Sequence, residues 1–374
     1  MIFTERKICI ICKSSLLDDL FNINYTFPIG NFVVDSPEHK CHFIPYNIQI
    51  CRICKTVQTK YLGDLKLIYE NNFAGSFGTI RNTLNDKFAN FVLENKDING
   101  IIEVGAGNGS LSESILDKHY FIYNIIDPSY SGTKINRIVH DCYFENFQKH
   151  TNINTIIMSQ VFEHFYDPIS IIEKIKSLST VKYIYISWPN LESFIKNGVY
   201  HVLNPEHIYY VENQFLIDLF KYFNYTLRRV YYHTTHSVFF EFIKESILLE
   251  NQIFPENKNT VNDTKFFFNR VLNKIEETNT LISKTSDPIY IWPCSMHTLF
   301  CISLGLKSNR ILNVLDNSSF KIGRYLYGYK HKCIEFTKTT SIPDNKIVVV
   351  TGGCYNSEIM EELSRNSSNT VIIL

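Results

Sequence analysis

The 374-residue sequence has no excess of either charge: Lys plus Arg equals Asp plus Glu at 37 each. That balance leaves no basic field to favour nucleic acid or an anionic membrane as a partner. Long hydrophobic runs are also missing, and none reaches the ~18 residues that a membrane-spanning helix needs. Met1–Lys7 carries charge with no apolar stretch before Cys9, so no signal peptide is expected. There is no internal repeat and no low-complexity tract. Cysteine, by contrast, is plentiful at ten residues. Without an export signal these are expected as reduced thiols in a cytoplasmic setting, with metal binding where they cluster.

Length and composition suit two or three domains, expected at residues 1–75, 76–250 and 251–374. The first holds five cysteines and several turns, with too little apolar material to fold well unaided. In the second, amphipathic helices alternate with short β-branched runs at Gly100–Val104, Phe121–Ile126, Thr155–Met158 and Lys182–Ser187. Such alternation predicts an α/β, doubly wound parallel sheet. Residues 251–264 are polar and read as a linker. A helix follows with Phe268, Val271, Leu272 and Ile275 on one stripe. Strand candidates at Ile289–Trp292, Arg310–Leu315, Lys346–Val350 and Thr370–Leu374 then predict a second, smaller α/β unit.

Cys9-Ile10-Ile11-Cys12 and Cys51-Arg52-Ile53-Cys54 are two C-x-x-C pairs separated by 38 residues. A two-residue spacer lets both thiolates of a pair reach one tetrahedral zinc, and two pairs close a four-sulfur site. Four thiolates leave no open position, so the expected zinc is structural, with its binding energy contributing to folding. Cys41 lies outside the pairs and is expected to be a bystander.

The apolar strand Ile101–Val104 runs into Gly105-Ala106-Gly107-Asn108-Gly109 and then a helix. Alternating glycines allow a tight turn and close backbone approach to a ligand. Glu103, just before the loop, would repel a pyrophosphate but suits the ammonium group of a methionine moiety. Asp127 ends the next strand, 18 residues beyond Gly109, near the ~20 expected of an acid that bonds a ribose diol; a turn-capping aspartate beside Pro128 is the plainer alternative. Together they point to S-adenosylmethionine (SAM), with Glu103, Gly105, Ala106, Gly107, Gly109, Asp127 and Gln160 as the binding set. Gln160 opens the Gln160-Val161-Phe162-Glu163-His164 segment after the third strand, expected to close over the adenosine side, with His164 structural.

Asn204-Pro205-Glu206-His207-Ile208-Tyr209-Tyr210 follows the fourth strand. An adjacent Glu206 and His207 could supply a general base with an acidic neighbour tuning it. In sequence order and motifs the whole chain resembles the NDP-hexose C-methyltransferases. That family has a C-x-x-C…C-x-x-C zinc domain, a class I SAM methyltransferase domain and a C-terminal Rossmann-like domain. Its catalytic Tyr-His-Glu-His segment falls on Asn204-Pro205-Glu206-His207, placing the family's proposed base on His207. Its C-terminal Val-x-Asp-(Asp/Asn)-x-x-x-Lys-x-Gly-x-Tyr-x-Pro-Gly motif falls on Val314-Leu315-Asp316-Asn317 through Lys321, Gly323 and Tyr325 to Tyr327-Gly328.

The resemblance implies a nucleotide-linked 4-keto sugar as substrate. His207 would remove the acidic proton beside the ketone, with Glu206 orienting it and Asn204 bonding the enolate oxygen that is then methylated at carbon. No nucleic-acid or membrane partner and a monomer or homodimer are expected. Three departures stand out. The family's tyrosine and first histidine are Asn204 and Pro205; its Tyr-Gly-Ala-Ser-Ala-Lys-Gly loop is Trp292-Pro293-Cys294-Ser295-Met296-His297-Thr298; and its His-Gly-Gly-Ser segment is replaced around His233–Ser237. Sugar O- or N-methylation on the same scaffold, or a non-catalytic zinc-knuckle interaction protein, are the alternatives.

Overall fold

The computed structural model describes residues 2–22, 26–29, 32–69, 79–148, 152–198, 206–247, 253–258, 260–336, 346–366 and 370–374. Asn204 and Pro205 lie outside the described residues. No described helix is long and apolar enough to cross a membrane.

Near-continuous apolar strands such as Gly100–Val104 and Thr155–Ser159 are buried along their whole length, as a parallel sheet covered on both faces requires. They form a seven-stranded sheet in the order Ile138–His140, Ile122–Ile126, Gly100–Val104, Thr155–Ser159, Tyr183–Pro189, Ser237–Lys244, Tyr225–His233. The first five pair in parallel, and the last two form a hairpin antiparallel to Tyr183–Pro189. This is the expected doubly wound sheet. Chain order reverses between Gly100–Val104 and Thr155–Ser159, so their carboxyl ends flank the crevice where such folds bind ligands. The helix Pro168–Ser177 starts where Asp167 accepts the Ser170 N–H at 3.3 Å and Pro168 pre-sets the first turn.

The hairpin Tyr225–His233/Ser237–Lys244 and the short strand Ile138–His140 were not expected from sequence. Tyr225–His233 is an edge strand with Arg228, Arg229 and exposed Tyr231 and Tyr232, so no alternating pattern marks it. Its arginines converge on the fully buried Glu241, Arg228 at 3.0 Å.

The C-terminal region forms a second sheet in the order Thr370–Ile373, Ile347–Val350, Ile289–Trp292, Ile311–Leu315, Lys332–Ile334, Tyr325–Leu326, Val33–Val34. All four strands expected there appear, Ile289–Trp292 with the expected bounds and the other three each one residue shorter. Its last strand comes from the cysteine-rich segment, paired antiparallel with Tyr325–Leu326. A third sheet crosses the chain in the opposite sense: Leu17–Phe21, Ile48–Cys51 and Val57–Thr59 are completed by Tyr209–Tyr210.

The scarcity of apolar residues in the first segment thus has a tertiary answer. Phe27, Val33 and Tyr46 pack into the core of the C-terminal unit, while Cys9, Ile10 and Cys54 pack into that of the central unit. Residues 251–264 are not a free linker. Asn257 is buried, donates its N–H to the Cys54 carbonyl at 2.9 Å and accepts the Glu212 N–H at 3.2 Å. The helix Thr260–Ile282 already includes the last five residues of that stretch and buries Phe268, Val271 and Ile275, with Phe268 stacked on Phe21 at 4.8 Å.

Candidate active site and zinc site

Val104 leaves the sheet and Gly105 takes φ +69°, the left-handed region where glycine is unstrained. Gly109, at φ +81°, is in the same region, and a Cβ there would lie 2.6 Å from the Tyr130 hydroxyl, which would have to move. Asp127 braces the turn: its carboxylate accepts the N–H of Gly107 at 2.7 Å and of Ser129 at 2.7 Å. The capping role and a place on the ligand wall therefore coincide in one side chain. Glu103, 2% exposed, accepts the Tyr123 hydroxyl at 2.7 Å. Burial, and then the Glu103 charge, hold the Tyr123 phenol well above its ordinary range.

Gln160 sits at φ +55°, a strained conformation for a residue with a side chain. Its amide nitrogen donates to Ser187 Oγ at 3.0 Å and Ser237 Oγ at 3.3 Å, joining three strand ends. Glu103, Gly105, Ala106, Gly107, Asp127 and Gln160 all line one cavity of about 990 Å³ at the crevice.

Glu206 and His207 line the same cavity, opposite His164. Here two Glu-His dipeptides face each other with crossed partners. His207 Nε2 lies 3.8 Å from Glu163 Oε1, His164 Nδ1 lies 3.8 Å from Glu206 Oε2, and the two imidazole rings are 5.1 Å apart. The carboxylate set against His207 is thus Glu163, and the sequence neighbour Glu206 is set against His164 instead. Glu163 is 1% exposed, and a buried carboxylate needs a partner of this kind. Tyr69 adds its hydroxyl 3.2 Å from His164 Nδ1. Glu163 and Tyr69 were missed by sequence reasoning. Glu163 stood beside a residue already singled out, whereas nothing local marks Tyr69. One ligand atom each of Glu163, His164 and His207 lies within 4.8 Å of the others, a spacing that a cation could also use.

The far wall belongs to the C-terminal unit. Trp292, His297, Asp316 and Lys321 line the cavity. Asp316 accepts from Cys294 N at 3.1 Å, Ser318 N at 2.9 Å and Lys321 Nζ at 2.7 Å, which accounts for the spacing of the Val-x-Asp-Asn…Lys motif. Tyr327 of the same stretch accepts the His42 N–H at 2.7 Å, tying the motif to the first segment. Burial, with repulsion from His207, His236 and Lys321, pushes the His297 imidazole down to about 3, so it is neutral at pH 7.

 The two C-x-x-C pairs come together against the core of the central unit, and they are built alike. Lys13 and Lys55, the residues after each pair, take φ +60° and +58° and donate their N–H to Cys9 and Cys51 carbonyls at 3.1 Å each. Sulfur–sulfur distances are 3.5 Å for Cys9–Cys54 and 3.4 Å for Cys12–Cys51, and all four sulfurs lie within 4.8 Å of one another. Tetrahedral zinc with Zn–S bonds of about 2.3 Å requires sulfurs about 3.8 Å apart, so the four cysteines fit that ion. Cys41 is outside the cluster, as expected, and the nine cysteines described are free thiols.

Residues 77–230 match a family described as a methyltransferase domain, which covers the glycine loop, Asp127, Gln160 and both Glu-His pairs. No curated protein matches the chain. Among solved structures, the magnesium protoporphyrin IX methyltransferase of Synechocystis PCC 6803 with bound SAH is similar at 13% identity, over 46% of this chain and 90% of that one, with a TM-score of 0.37. The 1,6-didemethyltoxoflavin-N1-methyltransferase of Burkholderia thailandensis is similar at 10% identity, over 44% and 78%, with a TM-score of 0.35. A plantazolicin methyltransferase reaches 22% identity over 34% and 54%, with a TM-score of 0.28. Likenesses this distant say nothing of substrate. The chain carries a methyltransferase domain on a doubly wound sheet.

Proposed function

We propose that this protein is a SAM-dependent methyltransferase acting on a nucleotide-linked keto sugar, with methylation at the carbon beside the ketone. The observation that carries the reading is one cavity lined by Glu103, the glycine loop and Asp127 on one wall and by His164, Glu206 and His207 on the other, with the buried Glu163 set against His207 from behind. When bound, SAM supplies an electrophilic methyl group on a sulfonium sulfur. Asp127 accepts from the ribose hydroxyls, and Glu103 meets the ammonium group. His207 takes the proton from the substrate carbon, and the buried Glu163 carboxylate stabilises the imidazolium that results. Asn204 remains the proposed partner of the enolate oxygen, Glu206 orients the histidine pair, and the four-cysteine zinc is structural. The setting proposed is the cytoplasm, in a monomer or homodimer with three folding units divided near residues 75 and 250.

The same pair could take the proton of a hydroxyl or amine held within hydrogen-bond reach as the methyl is transferred, giving O- or N-methylation. Deuterium exchange separates these routes: methylation at carbon exchanges solvent deuterium into the position beside the ketone, and methylation at oxygen or nitrogen does not. Titration with SAM tests the donor, and no binding would leave only an interaction protein. His207→Ala is expected to lower kcat by about 10²–10⁴ with SAM affinity unchanged; wild-type turnover would remove the base.

A further inference from the structure

We propose that the zinc module is the template that sets the His207 segment in place, with Arg6 and Gln58 as the positioning residues that connect the two. The proposal rests on the His207 reading for its catalytic consequence, but its structural half does not.

Three contacts link the knuckles to residues 208–210. Gln58, fully buried, accepts the Ile10 N–H at 2.8 Å and donates to the Ile8 carbonyl at 3.2 Å, so its side chain holds the first knuckle from both ends. Its backbone is paired with Tyr209 in the antiparallel ladder. Next to it, Thr59 donates its N–H to the Ile208 carbonyl at 3.0 Å. Arg6, three residues before Cys9 and 8% exposed, donates from Nη1 to that same carbonyl at 3.2 Å. A zinc ion with four thiolates carries a net charge of −2, and a buried guanidinium beside it offsets part of that charge.

The carbonyl both groups hold belongs to the residue directly after His207. From the other side, the segment meets the short turn that carries Glu163: Ile208 N donates to the Glu163 carbonyl at 3.4 Å and the Tyr209 hydroxyl to the Phe162 carbonyl at 2.7 Å. The imidazole is therefore fixed between the zinc module and the Glu163–His164 turn. A strand of two residues has no stability of its own and takes its position from the sheet it joins. A displacement of about 1 Å at a catalytic group costs up to about 10²-fold in rate.

The test uses the full-length, zinc-loaded protein and its Arg6→Met variant. The variant is expected to keep one zinc per chain and SAM affinity within about twofold, while the Thr59 amide exchanges faster and kcat falls about 10- to 100-fold. Chelating zinc from wild-type protein is expected to release the Thr59 amide while Ile102 and Val104 amides of the central sheet stay protected. Unchanged Thr59 exchange in both experiments would overturn the proposal. If Arg6→Met does not fold, Gln58→Met carries the same expectations. Should His207→Ala turn over normally, the base reading fails, and the Thr59 exchange result still stands or falls by itself.

Discussion

The two walls of the cavity are built in different ways. The donor wall is one continuous stretch, a strand, a glycine turn and a braced aspartate, whose geometry is held by backbone hydrogen bonds such as Gly105 N to Ile126 O at 2.9 Å. The acceptor wall is assembled from Tyr69, the Glu163–His164 turn, the Glu206–His207 segment and a loop of the C-terminal unit, held by side-chain pairs and by the four-cysteine segment. Backbone geometry tolerates changes of side chain, whereas a wall of titratable side chains changes its chemistry with each substitution.

Breaking the support of one wall gives the largest effect. Cys54→Ser is expected to lose the zinc and more than about 4 kcal/mol of stability, the range for loss of a structural metal, read by metal analysis and denaturant unfolding. Within the acceptor wall, Glu163→Gln is expected to lower kcat about 10- to 100-fold with SAM affinity intact, since the imidazolium loses its counter-charge in a buried site; Glu163→Asp should restore part of it. In the donor wall, Gly109→Ala forces a left-handed residue at a cost of about 1–2 kcal/mol and pushes a methyl toward Tyr130. Calorimetry should show SAM binding weakened about tenfold with kcat at saturation little changed.

The smallest effect concerns pH. His297 protonates near 6.5 in the unfolded chain and only near 3 when folded, so the unfolded state binds the extra proton between those values. The neutral imidazole's contribution is fully present above 6.5 and is lost as pH falls toward 3. His297→Gln is expected to lose less stability than wild type between pH 7 and pH 5, measured by urea midpoints.

Much of the first wall was legible in the chain, because Glu103, the glycines and Asp127 sit where the chain itself places them: at the ends of strands whose buried, β-branched runs predict the sheet. The four cysteines were legible for the same reason, since a two-residue spacer carries its own geometry. Other features had no local signature. The half-exposed edge strand Tyr225–His233 shows no clean alternation, and Asn257 reads as polar linker until Cys54 and Glu212 are beside it.

What the sequence determined by itself was the set of local devices: two knuckles, a glycine turn between acids, and alternating strands and helices. Tertiary structure decided the rest. It set Glu163 rather than Glu206 against His207, brought Tyr69 to His164, closed the cavity with His297, and divided the first segment's apolar residues between two cores. The reason is physical: backbone turns and short chelating loops depend on neighbours in the chain, whereas buried charges and small cores find their partners only where distant segments pack together.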